Sequence, residues 1–254
     1  MFICKLKKIT TVFCSPDRAH ENSKDSVQIY LAEGRYLQEE IAAEGVSRNI
    51  PSFSRFLEVA ACCNTQVLNY SSIASDTGLS RQTVANYFQV LKDTLLGFEL
   101  APYTKTLKRK ATATSKFYLF DMGVVRFLRK LSAITPANAE FGDFFEHFVF
   151  LELNSWKDYI APRTDLTFWR SSKGEYEVDF IVNNIAIETK STTNVQKKHL
   201  DGLLAIQEEK LCSKYIVVSR DSQKRYLKKE NVWVYPWQDF VKELWSSKSE
   251  LFKK

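Results

Sequence analysis

The sequence predicts a mixed α+β and α/β protein, with a helical first half and a second half in which strands and helices alternate. Three observations support this prediction. Apolar residues recur every three or four positions between residues 29 and 61, as they do in helices. The stretch ASDTGLS, residues 74–80, has the pattern of a tight turn between two helices. The stretch VDFIVNNIAIETK, residues 178–190, has two β-branched runs around an Asn-Asn pair, as in a β-hairpin.

The domain boundaries follow from where this periodicity is lost. Residues 1–28 have no clear period and include the polar run SPDRAHENSKDS, so we predict an irregular tail. We expect a helical domain over residues 29–132 and an α/β domain over residues 140–245. The stretch SAITPANAE between them holds Pro136 and few apolar residues, which is typical of a linker.

The composition and the absence of certain motifs exclude some classes of protein and favour others. The chain has 254 residues, a net charge of +6 and 44% hydrophobic residues, so it can form real cores and is compatible with a polyanionic partner. Its five cysteines show no CxxC spacing, which favours a reduced, cytoplasmic compartment over a zinc cluster. Lysines at positions 5, 7 and 8 interrupt the apolar start, so we expect no signal peptide. No stretch is long enough for a membrane span, so we expect no membrane association. It also lacks G-x-x-x-x-G-K-[ST], so we expect no ATP hydrolysis by this chain alone.

The turn pattern at residues 74–80 predicts a helix-turn-helix within a winged-helix-like domain. Ala74 lets two helices approach, Gly78 takes the turn, and Ser80 can cap the second helix. Four polar residues then face outward, where a recognition helix would contact DNA. They are Arg81, Gln82, Asn86 and Gln89. Since many helical hairpins carry such a turn without touching DNA, a purely structural role is the alternative.

A basic segment follows this pair of helices, where a β wing would lie. Residues 100–120 contain no acid, and their cations could neutralise several phosphates of DNA. The DNA-binding candidates in it are Lys105, Lys108, Arg109 and Lys110, and Lys116 completes the run. A solvated hairpin with ordinary surface lysines is the alternative.

The hairpin in the second half predicts an unusual pair of acids. If Asn183 and Asn184 form the turn, Asp179 lies directly opposite Glu188. Like charges at that separation destabilise a sheet, so something must compensate. A divalent cation, a shared proton or wide exposure to solvent are the candidates.

A third acid belongs to the same group if the helix FGDFFEHFVFLEL packs on this hairpin. Glu146 is surrounded by aromatic residues in that helix, where a carboxylate is costly unless it is paired or liganded. Glu146, Asp179 and Glu188 could hold Mg²⁺ through hard oxygen ligands. Such an ion acidifies its water for phosphodiester cleavage, with Lys190 orienting the water or neutralising the phosphate. Alternatively, a cross-strand ion pair with Glu177 occupies Lys190.

The pattern of Glu146 on a helix, Asp179 on one strand and Glu188-Thr189-Lys190 on the next resembles the PD-(D/E)xK nuclease-like fold. Val178 stands where the name-giving proline would be. The resemblance implies that Glu146, Asp179, Glu188 and Lys190 form a nuclease-like catalytic site.

A longer stretch, from about Tyr36 to Tyr235, resembles the C-terminal region of a family of prokaryotic AAA-type ATPases called domain of unknown function 4143. The stretches that carry this resemblance are VSRNIPSFSRFLEVAA, LSRQTVANYFQVLKDT, FGDFFEHFVFLEL and FWRSSKGEYEVDFIV followed by IAIETKS. That family usually carries an ATPase core before this region, and residues 1–27 do not resemble one. The resemblance therefore implies a split protein with a separate ATPase subunit, a truncated relic, or a fragment of a longer gene.

Together these features lead us to expect a DNA-associated protein with a Mg²⁺-dependent nuclease-like site. The alternative is a non-catalytic module, or a relic, that retains the fold and binds DNA or a partner ATPase.

Overall fold

The structure is a computed structural model, and it describes residues 50–247 and 251–252. The predicted tail over residues 1–28 and the predicted helical region before residue 50 lie outside these described residues. The described part contains seven α-helices and two β-sheets, so the predicted mixture of α and β structure is confirmed. None of its helices has the length and apolar character that crossing a membrane requires.

The first three helices form around the predicted turn. They are α1 (Ile50–Cys62), α2 (Tyr70–Thr77) and α3 (Arg81–Asp93). Gly78 ends α2 with φ +67°, and its N–H donates to the carbonyl oxygen of Ala74. Ser80 caps α3 by accepting a hydrogen bond from the N–H of Thr83 at 3.0 Å. The α2–turn–α3 geometry agrees with the sequence pattern, because glycine tolerates the positive φ that the turn requires.

Two short strands and a helix complete the first half. Strands β1 (Gly97–Leu100) and β2 (Lys116–Leu119) pair antiparallel, and α4 (Met122–Leu128) follows directly. All four residues of β2 are buried. This strand therefore lies inside the protein, although it ends the basic segment that we expected at the surface.

The second half is a helix and a six-stranded mixed sheet. Its elements are α5 (Phe141–Ile160), β3 (Leu166–Arg170), β4 (Glu177–Val182), β5 (Ile185–Lys190), α6 (Asp201–Gln207), β6 (Lys214–Ser219), β7 (Arg225–Leu227), β8 (Val232–Pro236) and α7 (Trp237–Leu244). The strand order is β3-β4-β5-β6-β8-β7. Strand β6 runs parallel to β5, as the connection through a helix predicts, and β8 runs parallel to β6.

The sheet is covered on both faces. One face contributes Phe180, Val182 and Ile187 to a core that contains α5 and also the helices and strands of the first half. The other face contributes Ile181 and Ala186 to a smaller cluster that contains α6. Because the larger core extends across the predicted linker, the two halves pack together, and β2 of the first half lies against α5 of the second.

The segment between β1 and β2 does not extend from the protein as the free β wing that we expected. It lies along the edge strand β3, where the N–H of Tyr103 donates to the carbonyl oxygen of Phe168 at 2.6 Å and that of Thr112 donates to Arg170 at 2.8 Å. The carboxylate of Glu209 accepts hydrogen bonds from three consecutive backbone N–H groups, at residues 107, 108 and 109. Edge pairing and this acid therefore fix the segment to the second half.

The hairpin of β4 and β5 turns at the predicted place but is interrupted at Asp179. Asn183 has φ +55°, and Val182 pairs with Ile185, so the Asn-Asn turn is confirmed. The β4–β5 pairs end at Phe180 and Ile187. On the other side of β4, one extra residue separates the pairs Thr167–Ile181 and Trp169–Val178. This irregularity is a β-bulge, and it changes the direction in which Asp179 points.

A glycine lets helix α6 approach this irregular strand. A Cβ atom at Gly202 would lie 1.7 Å from the carbonyl oxygen of Glu177 in β4. No side chain fits there, because the obstacle is backbone. Helix α6 thus supports the part of β4 that carries Glu177 and Asp179.

Candidate functional site

The predicted acids meet around a lysine that the sequence analysis had assigned to the basic segment. The Nζ atom of Lys116 lies 3.0 Å from Oε1 of Glu146 and 3.6 Å from Oδ1 of Asp179, and it also contacts Oε1 of Glu177. The side chain of Lys116 is only 2% exposed. The first half of the chain thus places an ammonium group among three carboxylates of the second half.

This ammonium group remains charged despite its burial. Burial lowers the pKa of Lys116, but the carboxylates of Glu146, Asp179 and Glu177 together raise it above its ordinary value. For Glu146, burial raises the pKa to about 7, although the contacts with Lys116 and Tyr118 oppose that rise. A buried charge is stable only when it is paired, and here each partner compensates the other.

A buried polar network holds β2 against α5 and thereby positions Lys116. The Nε2 atom of His147 lies 2.7 Å from the carbonyl oxygen of Leu119, and Asn64 accepts a hydrogen bond from the N–H of Leu119 at 2.9 Å. The hydroxyl of Tyr118 donates to Oε1 of Glu146 at 2.6 Å. Burial lowers the pKa of His147 to about 4, so it is neutral at pH 7. His147 therefore serves here as a neutral, buried hydrogen-bond partner.

The β-bulge gives Asp179 a role that a regular hairpin would not allow. Its Oδ2 accepts hydrogen bonds from the backbone N–H and the hydroxyl of Thr189, at 2.8 and 2.7 Å. The predicted pairing of Asp179 opposite Glu188 in the strand register does not form, because the pairs stop at Ile187. Instead, the Asp179 carboxylate binds Thr189 on β5, the residue after Glu188. The carboxylates of Asp179 and Glu188 therefore still lie near each other.

Glu188 is the least compensated acid of the group. Its Oε1 lies 2.6 Å from Nζ of Lys190, whereas its Oε2 is buried and has no hydrogen-bond partner in the described part of the protein. Burial raises the pKa of Glu188 well above its usual value, and the nearby Asp179 raises it further. The candidate site thus presents one carboxylate oxygen that lacks both a proton donor and a cation.

The alternative expectation of an ion pair between Glu177 and Lys190 is wrong. Lys190 contacts Glu188 on its own strand, and Glu177 contacts Lys116 and Arg170, the latter at 3.5 Å. The bulge accounts for the difference, since it shifts Glu177 out of register with Lys190.

Sequence reasoning missed the contacts that Lys116, Tyr118 and Thr189 make with the acids of the cluster. A signal for the first two was present, because KFYLF alternates in a way that places Lys116 and Tyr118 on one face of a strand. Nothing local indicated Thr189, since its contact with Asp179 depends on the bulge.

The residues fit the expected Mg²⁺ only in part. Within the described residues, no group of three or more His, Cys, Asp or Glu side chains is arranged to hold a metal ion. Glu146, expected as a third ligand, is instead engaged by Lys116 and Tyr118. The unpartnered oxygen of Glu188, next to the carboxylate of Asp179, does fit a cation. A cation held by Asp179 and Glu188 alone stays a prediction.

Seven of the eight predicted DNA-binding residues are exposed, on two separate surfaces, and the eighth is partly buried in an ion pair. Arg81, Gln82, Asn86 and Gln89 are exposed on α3. Lys105, Lys108 and Lys110 are exposed on the segment beside β3. Arg109 is turned inward by comparison, since it donates to Glu208 at 2.8 Å and lies over the ring of Tyr176. Contact of the exposed residues with DNA stays a prediction.

Comparisons with known proteins match two family models to different parts of the chain. Residues 141–240 match the family model of domain of unknown function 4143, and residues 17–135 match that of domain of unknown function 8612. The resemblance to the first family is therefore narrower than the expected stretch from Tyr36, because a different family matches the first half. No curated protein and no solved structure matches the chain. The second half of this protein is thus similar to domain of unknown function 4143, and its first half is similar to domain of unknown function 8612.

Proposed function

We propose that this protein binds DNA and that Asp179, Glu188 and Lys190 form a nuclease-like site that cleaves a phosphodiester with the help of Mg²⁺. The observation that carries the proposal is the Oε2 atom of Glu188, which is buried, unpartnered within the described residues and close to a second carboxylate. Desolvated carboxylates that repel each other in this way are common where a site binds a cation or a proton. A winged-helix-like first half and a PD-(D/E)xK-like second half are part of the same proposal.

The side chains have distinct roles in this proposal. Asp179 and Glu188 would hold the ion, and a bound ion would supply an acidified water and stabilise charge on the phosphate. Thr189 orients Asp179 through two hydrogen bonds. Lys190 neutralises a phosphate oxygen beside Glu188, and its 37% exposure leaves it accessible to substrate. Four carboxylates, those of Glu146, Glu177, Asp179 and Glu188, face three cations, so a further cation would balance the cluster when all four acids are ionised. The three cations are Lys116, Arg170 and Lys190.

The experiment that tests this function is a DNA cleavage assay with purified protein in Mg²⁺, Mn²⁺ or EDTA. We expect cleavage that depends on a divalent cation and that is abolished in Asp179→Ala and in Lys190→Ala, because each variant removes a group that contacts the ion or the phosphate. Asp165→Ala and Lys228→Ala are matched controls, since both residues are exposed and neither contacts the residues of the site. Cleavage that persists in Asp179→Ala would contradict the proposal.

The second candidate is a non-catalytic module that binds DNA or a separate ATPase subunit. One observation favours it: the ammonium of Lys116 already lies among three carboxylates, as a structural ion pair between two halves would require. Absence of cleavage, together with salt-dependent DNA binding that survives Asp179→Ala, would decide for this candidate.

A further inference from the structure

A cleft between the first and second halves gathers basic side chains that no part of the nuclease-like site uses. Its volume is about 500 Å³, and its lining includes Arg81 at the start of α3 together with Arg170 and Lys173 at the end of β3. We propose that this cleft binds the phosphate groups of a nucleic-acid strand. This inference rests on the proposed function, and it names the surface that would present the strand to the acidic cluster.

The charge of the cleft is of one sign. Among the described residues, three cationic side chains line it and no Asp or Glu does. Hydroxyl groups of Thr112, from the first half, and Ser172, from the second half, add neutral donors. Guanidinium groups bind phosphate through paired hydrogen bonds, and hydroxyls commonly complete such contacts. The lining therefore matches an oxyanion rather than an apolar or cationic ligand.

Two of these cations have no internal counter-ion. Arg81 and Lys173 are both exposed and form no ion pair within the described residues. Like charges that face one cleft repel one another, and an anion between them removes that repulsion. This distinguishes them from Arg109, which Glu208 neutralises.

The third cation, Arg170, is fixed by its surroundings. Its NH1 lies 3.5 Å from Oε2 of Glu177, and its NH2 would lie 3.1 Å from a Cβ atom at Gly174. Gly174 has φ +74° and no side chain, so the turn after β3 can fold close to the guanidinium. Arg170 is thus held at the cleft before any ligand binds, which lowers the entropic cost of binding.

Glu177 connects the cleft to the acidic cluster. One of its carboxylate oxygens contacts Arg170 in the cleft, and the other contacts Lys116 in the cluster. Because one carboxylate joins Arg170 to Lys116, the cleft borders the cluster, and a strand bound in the cleft can extend toward it. A free mononucleotide shares the phosphate chemistry but cannot span from the cleft to the cluster.

The test is fluorescence anisotropy of a labelled single-stranded oligothymidine in EDTA, measured from 50 to 200 mM NaCl. We expect the double variant Arg81→Ala/Lys173→Ala to bind at least about tenfold more weakly at low salt. The slope of log K against log salt should fall by about 1.4, since each lost phosphate contact on a single strand contributes about 0.7. The matched control is Lys228→Ala/Lys229→Ala, which removes the same charge from exposed positions outside the cleft lining.

Equal losses in the two double variants would overturn the inference, because net charge alone would then explain binding. Inorganic phosphate that binds as tightly as the strand at constant ionic strength would also overturn it, in favour of a small phosphate ligand. The test is separate from that of the proposed function, since EDTA prevents metal-dependent cleavage. Strand binding through the cleft without cleavage would contradict only the nuclease proposal. Cleavage by a protein whose strand binding is unchanged in Arg81→Ala/Lys173→Ala would contradict only this inference.

Discussion

Replacement of Lys116 by methionine should lower the free energy of unfolding by about 3–5 kcal/mol, the range expected when one partner of a buried ion pair is removed. Lys116 is 2% exposed and compensates Glu146, Glu177 and Asp179 at once. Methionine fills similar space but leaves these acids without a cation. Urea unfolding, followed by fluorescence or circular dichroism, measures the change, and Lys198→Met at the surface is the matched control.

A second variant separates the loss of charge compensation from the loss of packing. If uncompensated carboxylate is the cause, Lys116→Met/Glu146→Gln should recover part of the stability lost in Lys116→Met, because one of the repelling acids becomes neutral. A Lys116→Met protein within about 0.5 kcal/mol of wild type, the range typical of surface substitutions, would show that the ammonium does not hold the halves together.

Glu188→Gln should change stability and cation binding in opposite directions. Burial and Asp179 raise the pKa of Glu188, so the folded protein binds a proton there more tightly than the unfolded chain does. Wild-type stability therefore falls as pH rises from about 4.3, the ordinary value for glutamate, through the raised pKa. Glutamine carries no such charge, so the variant should lack this decline and exceed wild-type stability by about 1 kcal/mol at pH 8.

Urea unfolding of both proteins between pH 4 and pH 9 gives the comparison. The difference between variant and wild type should be smallest at acidic pH, where Glu188 is protonated, and largest at alkaline pH. A variant that loses stability at pH 8 would mean that the ionised carboxylate stabilises the fold, as an ordinary structural ion pair with Lys190 would. A group that costs stability when ionised is more typical of a functional site.

Local features of the site could be predicted from the sequence, and long-range ones could not. The turn at Asn183 and the cap at Ser80 depend on residues next to one another, and both form as predicted. The convergence of Asp179 with Glu188 also follows from their spacing on a hairpin. Its geometry does not, because the extra residue in β4 depends on pairing with β3.

The position of the basic segment depends on contacts between residues far apart in the sequence, and these could not be predicted. A run of lysines with no acid is typical of an exposed surface, and Lys105 and Lys108 are indeed exposed. Lys116 ends the same run but lies in a buried strand, since its charge is compensated by acids at least thirty positions further along the chain. Charge counted along the chain thus gives no information on which cation is buried.

The most direct test of the two-carboxylate cation site is a calorimetric titration of Mn²⁺ into wild-type protein and Glu188→Gln at pH 7.5. The wild type should bind one ion, and the variant should bind it more than about 100-fold more weakly, since loss of a ligand exceeds the 10–100-fold cost of losing an outer-shell partner. Affinity in the wild type should also rise with pH, because the proton on Glu188 competes with the ion. No binding to wild type, or equal binding to both proteins, would contradict the account.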